Sequence, residues 1–221
     1  MKLGIIGCGA IGTDVAKAAD AMKDIEKIYL FDINKTAAEK LCLFLKKTSL
    51  KPVEEFLEDG DVVFEAASQQ AVAQYGAPVL EAGKDLIIMS IGSLFNDALR
   101  KKLENTARKH HQKIYLPSGA VCGIDGVLAA SIEKLDSVTL VTTKPPASLG
   151  KSVEERTIVF EGTARDAIKQ FPRNINVAAC LSLAGVGFDE TKVEIIADPV
   201  ETRISHKILA HGRFGRLRAE V

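Results

Sequence analysis

Over the first 117 residues, short apolar runs alternate with longer stretches of helical periodicity. The runs Lys2–Ile6, Lys27–Phe31, Asp61–Ala66, Asp85–Met89 and Lys113–Leu116 predict strands. Each is brief and nearly continuous in its apolar positions, as strands buried on both faces of a parallel sheet require. Between them, Ile11, Val15, Ala18 and Met22 fall on one helical face. Val72, Tyr75, Val79 and Ala82 fall on another, which Gly83 is placed to stop. Phe95–His111 predicts a third helix with Leu99, Leu103 and Ala107 inward. Strands alternating with helices predict an α/β fold whose N-terminal part is a Rossmann-type doubly wound parallel sheet.

The pattern changes after Leu116. Pro117-Ser118-Gly119-Ala120 reads as a junction. Beyond it, strands are predicted at Ser137–Thr143, Thr157–Phe160, Val193–Ala197, Ser205–Ala210 and Gly215–Glu220. Only two helices are predicted among them, Ala164–Phe171 and Asn176–Ala184. Closely spaced strands with few helices predict a second, smaller α+β domain. The expected organisation is a dinucleotide-binding domain over 1–117 and a substrate-binding and dimerisation domain over 118–221.

Hydrophobic residues make up 47% of the 221, enough for packed cores and too many for a disordered chain. Lys plus Arg equals Asp plus Glu at 29 each, so neither a nucleic acid nor a membrane surface is an expected partner. No apolar run reaches the roughly 18 residues of a membrane span, and no signal peptide is evident before the first strand. Cys8, Cys42, Cys122 and Cys180 form no paired spacing, which argues against a zinc site or a redox dithiol. A cytoplasmic protein without a metal is expected.

Gly7-Cys8-Gly9-Ala10-Ile11-Gly12 follows the first strand and opens the first helix. Alone, a G-x-G-x-x-G pattern is weak evidence, but this context is specific. Gly7 permits the tight turn, Gly9 lets a pyrophosphate approach the backbone, and Gly12 lets helix and strand pack closely. The helix N-terminus, with Ala10 and Ile11, then offers free N–H groups to the phosphates. Asp32, at the end of the second strand, is positioned to accept the adenosine ribose hydroxyls and to repel a 2′-phosphate, favouring NAD. Lys35 lies near enough to soften that preference, so NAD and NADP are both expected. Ala66, Ala67 and Ser68 are candidate cofactor contacts at the next strand end, and Ser90-Ile91-Gly92 a candidate lining on the nicotinamide side. Simple packing of strand ends is the plain alternative for both.

In the second half the sequence resembles the L-aspartate dehydrogenase family. The stretches that carry the resemblance are Pro117-Ser118-Gly119-Ala120-Val121-Cys122-Gly123-Ile124-Asp125-Gly126, Lys144-Pro145-Pro146, Asn174-Ile175-Asn176-Val177-Ala178-Ala179, and Ala197-Asp198-Pro199 followed by His206. With the glycine fingerprint they span nearly the whole chain. The resemblance implies oxidation of L-aspartate, a small-molecule substrate, to iminoaspartate with NAD or NADP, feeding pyridine-nucleotide biosynthesis. It implies a homodimer, makes His206 the catalytic residue, and sets Ala120 and Asn176 beside the nicotinamide end of the cofactor. The family usually continues with a further helix where this chain stops at Val221.

The residues themselves leave alternatives. On an alternating strand, Ile204, His206, Ile208 and Ala210 share one face, where a histidine can be a core residue as well as a catalyst. His110, His111 and His211 read as solvated or helix-end residues. Asp198 is a candidate orienting partner for His206. Lys144, Arg173, Arg203 and Lys207 are candidate cations for substrate carboxylates, and alternation favours Lys144 or a backbone nest at Ser118-Gly119. Asn174 or Asn176 can equally be a helix cap. Another two-domain enzyme, dihydrodipicolinate-reductase-like or homoserine-dehydrogenase-like, and a non-catalytic NAD(H)-sensing protein are the competing functions.

Overall fold

The computed structural model describes residues 1–171 and 175–221, so Arg173 and Asn174 lie outside the described residues. The chain divides into two compact units, Met1–Pro117 and Ser118–Val221.

The first unit is a six-stranded parallel sheet of β1 (Lys2–Ile6), β2 (Lys27–Phe31), β3 (Thr48–Leu50), β4 (Val62–Glu65), β5 (Asp85–Ile88) and β6 (Ile114–Tyr115), in the order β3-β2-β1-β4-β5-β6. The order reverses between β1 and β4, and the crevice at the carboxyl ends of those strands is where doubly wound sheets bind their ligands. Ile5, wholly buried, pairs in register with Leu30 and Phe64 on either side. The helices are α1 (Ala10–Ala21), α2 (Lys35–Phe44), α3 (Val53–Asp59), α4 (Gln69–Glu81) and α5 (Asp97–His110). The predicted third helix begins instead as a 3-10 turn over Ile91–Phe95, and Asn96 caps α5 by accepting the Leu99 N–H at 3.1 Å. Gly83 follows α4 at φ +72, a left-handed position that favours glycine.

The buried face of α1 is Gly12, Ala16 and Ala19, not Ile11, Val15, Ala18 and Met22; Ile11 and Met22 are exposed. The helix lies so close to the sheet that only small residues fit beneath it, and close approach overrides size as the guide to burial. Helix α2 and the short β3 and α3 are additional to the predicted elements, and a three-residue strand and a seven-residue helix are too short to show a period.

The second unit contains α6 (Ile124–Ala130), β7 (Leu135–Lys144), β8 (Thr157–Thr163), α7 (Ala164–Gln170), α8 (Asn176–Ala184), β9 (Lys192–Ala197), β10 (Ser205–Gly212) and β11 (Gly215–Glu220). Its strands form one mixed sheet in the order β11-β10-β7-β9-β8, with β7 and β9 parallel and the other pairs antiparallel. One face is the core, carrying Val138, Leu140, Val193, Ile195, Ile208 and Ala210. The helices pack on that face. Gly126 of α6 is pressed against Leu217, Gly185 after α8 sits near Val138, and Phe171 after α7 meets Phe160 edge-to-face at 5.8 Å. On the opposite face Val141 and Leu209 are half-buried and Ile158 is 54% exposed. Helix α6 was not foreseen. Gly126 in its middle disfavours a helix locally, and a Cβ there would lie 2.7 Å from the end of the Leu217 side chain, which would have to shift.

Candidate active site

The turn between β1 and α1 has the geometry that a pyrophosphate cradle needs. Gly7 sits at φ +100, and a Cβ on it would lie 2.7 Å from the Ala66 carbonyl oxygen. A Cβ on Gly12 would lie 1.9 Å from the Gly7 carbonyl oxygen, so this helix start tolerates only glycine there. Gly9 differs: nothing lies within 4 Å of a Cβ built on it. The fold does not need that glycine, and the space in front of it is open. Gly9, Ala10 and Ile11 are all exposed at the helix start, where the first-turn N–H groups have no helical partner and the helix dipole favours an anion.

A cleft of about 320 Å³ opens from this turn. Gly7, Gly9, Asp32, Ala66, Ala67 and Ser68 line it, so the structure brings six of the sequence-named residues to one place. Gln70, Gln74 and Tyr75 of α4 join them, and the helical pattern gave no functional signal for these three. An adjoining depression past β2 is lined by Asp32, Lys35 and Lys51 among others.

Asp32 has a second task. Its Oδ2 accepts the Cys8 N–H at 2.6 Å and its Oδ1 accepts the Asn34 N–H at 2.7 Å. The carboxylate therefore ties the glycine turn to the end of β2, and its remaining lone pairs stay available to ribose hydroxyls. Glu65, only 1% exposed, organises the neighbouring strand end in the same way. Its Oε1 accepts from Ala67 N (2.8 Å), Ser68 N (2.9 Å) and Ser90 Oγ (2.8 Å), and its Oε2 from Ser90 N (3.0 Å). Burial pushes its pKa up, and these hydrogen bonds pull against that rise. The Ser90–Gly92 segment is buried, with Ser90 spent on Glu65.

In the second unit, His206 is half-buried on the core face of β10 with Ile208 and Ala210. Ile204, expected beside it, lies before the strand and is exposed. The His206 backbone is held by Val221, donating to its carbonyl at 2.7 Å and accepting from its N–H at 3.0 Å. The ring Nδ1 lies 3.0 Å from Thr142 Oγ1 on the paired strand. Asp198, the expected orienting group, is turned elsewhere, toward Val200 N at 3.0 Å and Arg156 at 3.5 Å. Burial, and then the charge of Lys144, hold the His206 pKa below its ordinary value. Lys144, at the end of β7, is 3% exposed. Ala120 lies exposed in a turn, and Asn176 is the exposed first residue of α8; the cap position is Ile175, so Asn176 is not the helix cap.

The family described as aspartate dehydrogenase, C-terminal, matches residues 125–221, and that described as homoserine dehydrogenase, NAD binding domain, matches residues 7–117. An L-aspartate dehydrogenase of Methanosarcina barkeri is 42% identical, covering 100% of this chain and 87% of that protein. The L-aspartate dehydrogenase of Methanothermobacter thermautotrophicus is 40% identical over 99% of this chain and 84% of its own. The chain belongs to the L-aspartate dehydrogenase family. The crystal structure of aspartate dehydrogenase from Thermotoga maritima superposes with a TM-score of 0.86 at 31% identity, covering 100% of this chain and 88% of that one. The fold is thus the expected Rossmann-type unit with a second, mixed-sheet unit, and the protein is an NAD(P)-dependent oxidoreductase. The first unit alone matches a module described for homoserine dehydrogenase; the second unit separates the families.

Proposed function

We propose that the protein oxidises L-aspartate to iminoaspartate with NAD or NADP. The observation that carries the reading is His206, fixed on a strand against Thr142, with burial and the Lys144 charge holding its pKa below the ordinary value. The glycine turn, the open space before Gly9 and the free end of α1 fit a dinucleotide's pyrophosphate. When bound, the dinucleotide supplies a hydride acceptor at its nicotinamide C4.

The chain's own residues do the rest. Gly9, Ala10 and Ile11 present backbone N–H groups to the pyrophosphate, while Gly7, whose own N–H donates to the Phe31 carbonyl at 2.8 Å, and Gly12 shape the turn that holds it. Asp32 holds the adenosine ribose, and Ala66, Ala67 and Ser68 border it without bulk. Ala120 and Asn176 serve the nicotinamide end. His206 Nδ1 faces Thr142 Oγ1, and in the tautomer that donates Nδ1–H to that hydroxyl Nε2 is the proton acceptor. Aspartate's α-amine is an ammonium near neutrality, and Cα does not release hydride until a proton leaves that nitrogen. A neutral imidazole is suited to take it and, once that proton has passed to solvent, to activate the water that attacks the imine.

The first unit is accordingly the dinucleotide-binding domain and the second the substrate and dimerisation domain. The half-open sheet face bearing Val141, Leu209 and Ile158 supports a homodimer through the second unit. The four cysteines are free, as a cytoplasmic setting permits. Formation of reduced nicotinamide, followed by absorbance with L-aspartate and either NAD or NADP, tests the activity. No turnover with L-aspartate, or faster turnover of homoserine, overturns the reading. A monomeric mass by light scattering removes the dimer.

A further inference from the structure

We propose that Lys144 receives a carboxylate of the substrate and, with His206, makes the subsite that accepts a dicarboxylic amino acid. The inference rests on the reading of the protein as an L-aspartate oxidoreductase and names the group that holds the substrate's charge.

Among the described residues, two charged side chains are buried, Glu65 and Lys144. Glu65 is satisfied by the four hydrogen bonds given above. Lys144 has no hydrogen bond and no ion pair to its ammonium group among the described residues, and burial alone lowers its pKa. A lysine enclosed without an anion is costly and is rarely left so without a reason.

Its position supplies the reason. Alternation along β7 puts Thr142 and Lys144 on the core face, and His206 pairs directly with Thr142. Lys144 is therefore the diagonal neighbour of His206, at a backbone separation of about 7–8 Å. A four-carbon diacid spans such a distance, so one of its carboxylates can sit on Lys144 while its amine faces the ring. The acid at the end of the neighbouring strand does not compete. Asp198 donates its backbone N–H to the Lys144 carbonyl at 3.0 Å, but its carboxylate is directed to Arg156 and Val200. Lys207 stands on the other face of the sheet, 3.7 Å from Glu220. Two basic groups side by side, one uncompensated and its charge disfavouring a proton on the other, form a receptor for an anion from outside the chain.

The test is calorimetric titration of succinate, an unreactive diacid, into the full chain saturated with NADH, for wild type, Lys144→Met and Lys144→Arg. Succinamide is the uncharged control. We expect succinate to bind wild type, to bind Lys144→Met at least about 30-fold more weakly, and to bind Lys144→Arg at an intermediate level. Succinamide should not distinguish wild type from Lys144→Met, and NADH affinity should not change. Equal succinate affinity in Lys144→Met, or equal loss of succinate and succinamide, overturns the proposal. If Lys144→Met does not fold, isotope-labelled methylation of wild-type lysines decides. The resonance missing from Lys144→Arg must shift on adding succinate, and an unmoved resonance overturns the proposal. Succinate binding through Lys144 without any aspartate turnover would remove the proposed reaction and leave the subsite. Aspartate turnover with an unmoved KM in Lys144→Met would do the reverse.

Discussion

Replacing Asp32 separates two jobs that one carboxylate holds. Asp32→Ala removes the acceptors of the Cys8 and Asn34 N–H groups. A hydrogen bond to a charged group contributes about 1.5–3 kcal/mol. Asn34 is exposed and water replaces its partner, whereas the Cys8 N–H is part-buried, so the net loss should be about 2 kcal/mol and several degrees in Tm. Cofactor choice moves independently. Losing one or two ribose hydrogen bonds weakens NAD by about 10–100-fold. Removing a negative charge beside the 2′-phosphate, with Lys35 and Lys51 lining the adjoining depression, relieves NADP by on the order of 1 kcal/mol. The ratio of kcat/KM values should therefore move toward NADP by at least about 30-fold. Asp32→Asn discriminates the two jobs: it keeps one acceptor for the turn but loses the charge. It should retain most of the Tm and still show the shift. An unchanged cofactor ratio in folded Asp32→Asn would falsify the selection role and leave Asp32 as a tie for the glycine turn.

Gly9→Val should fold with a Tm near wild type, because its Cβ meets open space, and yet lose NADH in fluorescence titration; Gly12→Ala, meeting the Gly7 carbonyl, should instead lose stability. Unaltered NADH affinity in Gly9→Val would contradict the cradle. His206→Ala should lower turnover by roughly 10²–10⁴-fold with NADH binding unchanged, and turnover within a few-fold of wild type would make His206 a core residue. Because the folded pKa of His206 is depressed, its neutral form persists below the usual pH of about 6.5, and the acid limb of kcat/KM should lie below that value. Removing the Lys144 charge raises that pKa, so the limb should move to higher pH in Lys144→Met. The same depression stabilises the fold above the unfolded pKa and loses that contribution as pH falls through the folded one. Glu65→Gln leaves one of the donors around the carboxylate facing an amide NH₂ and should cost about 1–3 kcal/mol in thermal unfolding, with a weaker cofactor; an unchanged Tm would show that the clamp is redundant.

The β1–turn–α1–β2 segment was legible because all its determinants are local. Strand, glycines, helix start and Asp32 follow one another within 32 residues, and each answers a short-range demand of backbone geometry. The same holds for β10, where alternation alone puts His206 on a face with Ile208 and Ala210. The doubly wound order follows from consecutive right-handed crossovers.

Tertiary structure decided what depends on distance between elements. The buried face of α1 is Gly12, Ala16 and Ala19, and a Cβ on Gly12 would already meet the Gly7 carbonyl oxygen. Helix α6 forms although Gly126 disfavours helix locally, with that glycine lying against Leu217. Glu65 draws its donors from two loops, and only the parallel pairing of β4 with β5 makes Ser90 its neighbour. Thr142 and His206 are 64 positions apart, and strand register alone sets one hydroxyl on one ring nitrogen. Strand alternation favours Lys144 among the candidate cations, but it does not show its burial. The sheet buries it and turns Asp198 away, because burial and the absence of a partner are properties of the packed chain and not of any short segment.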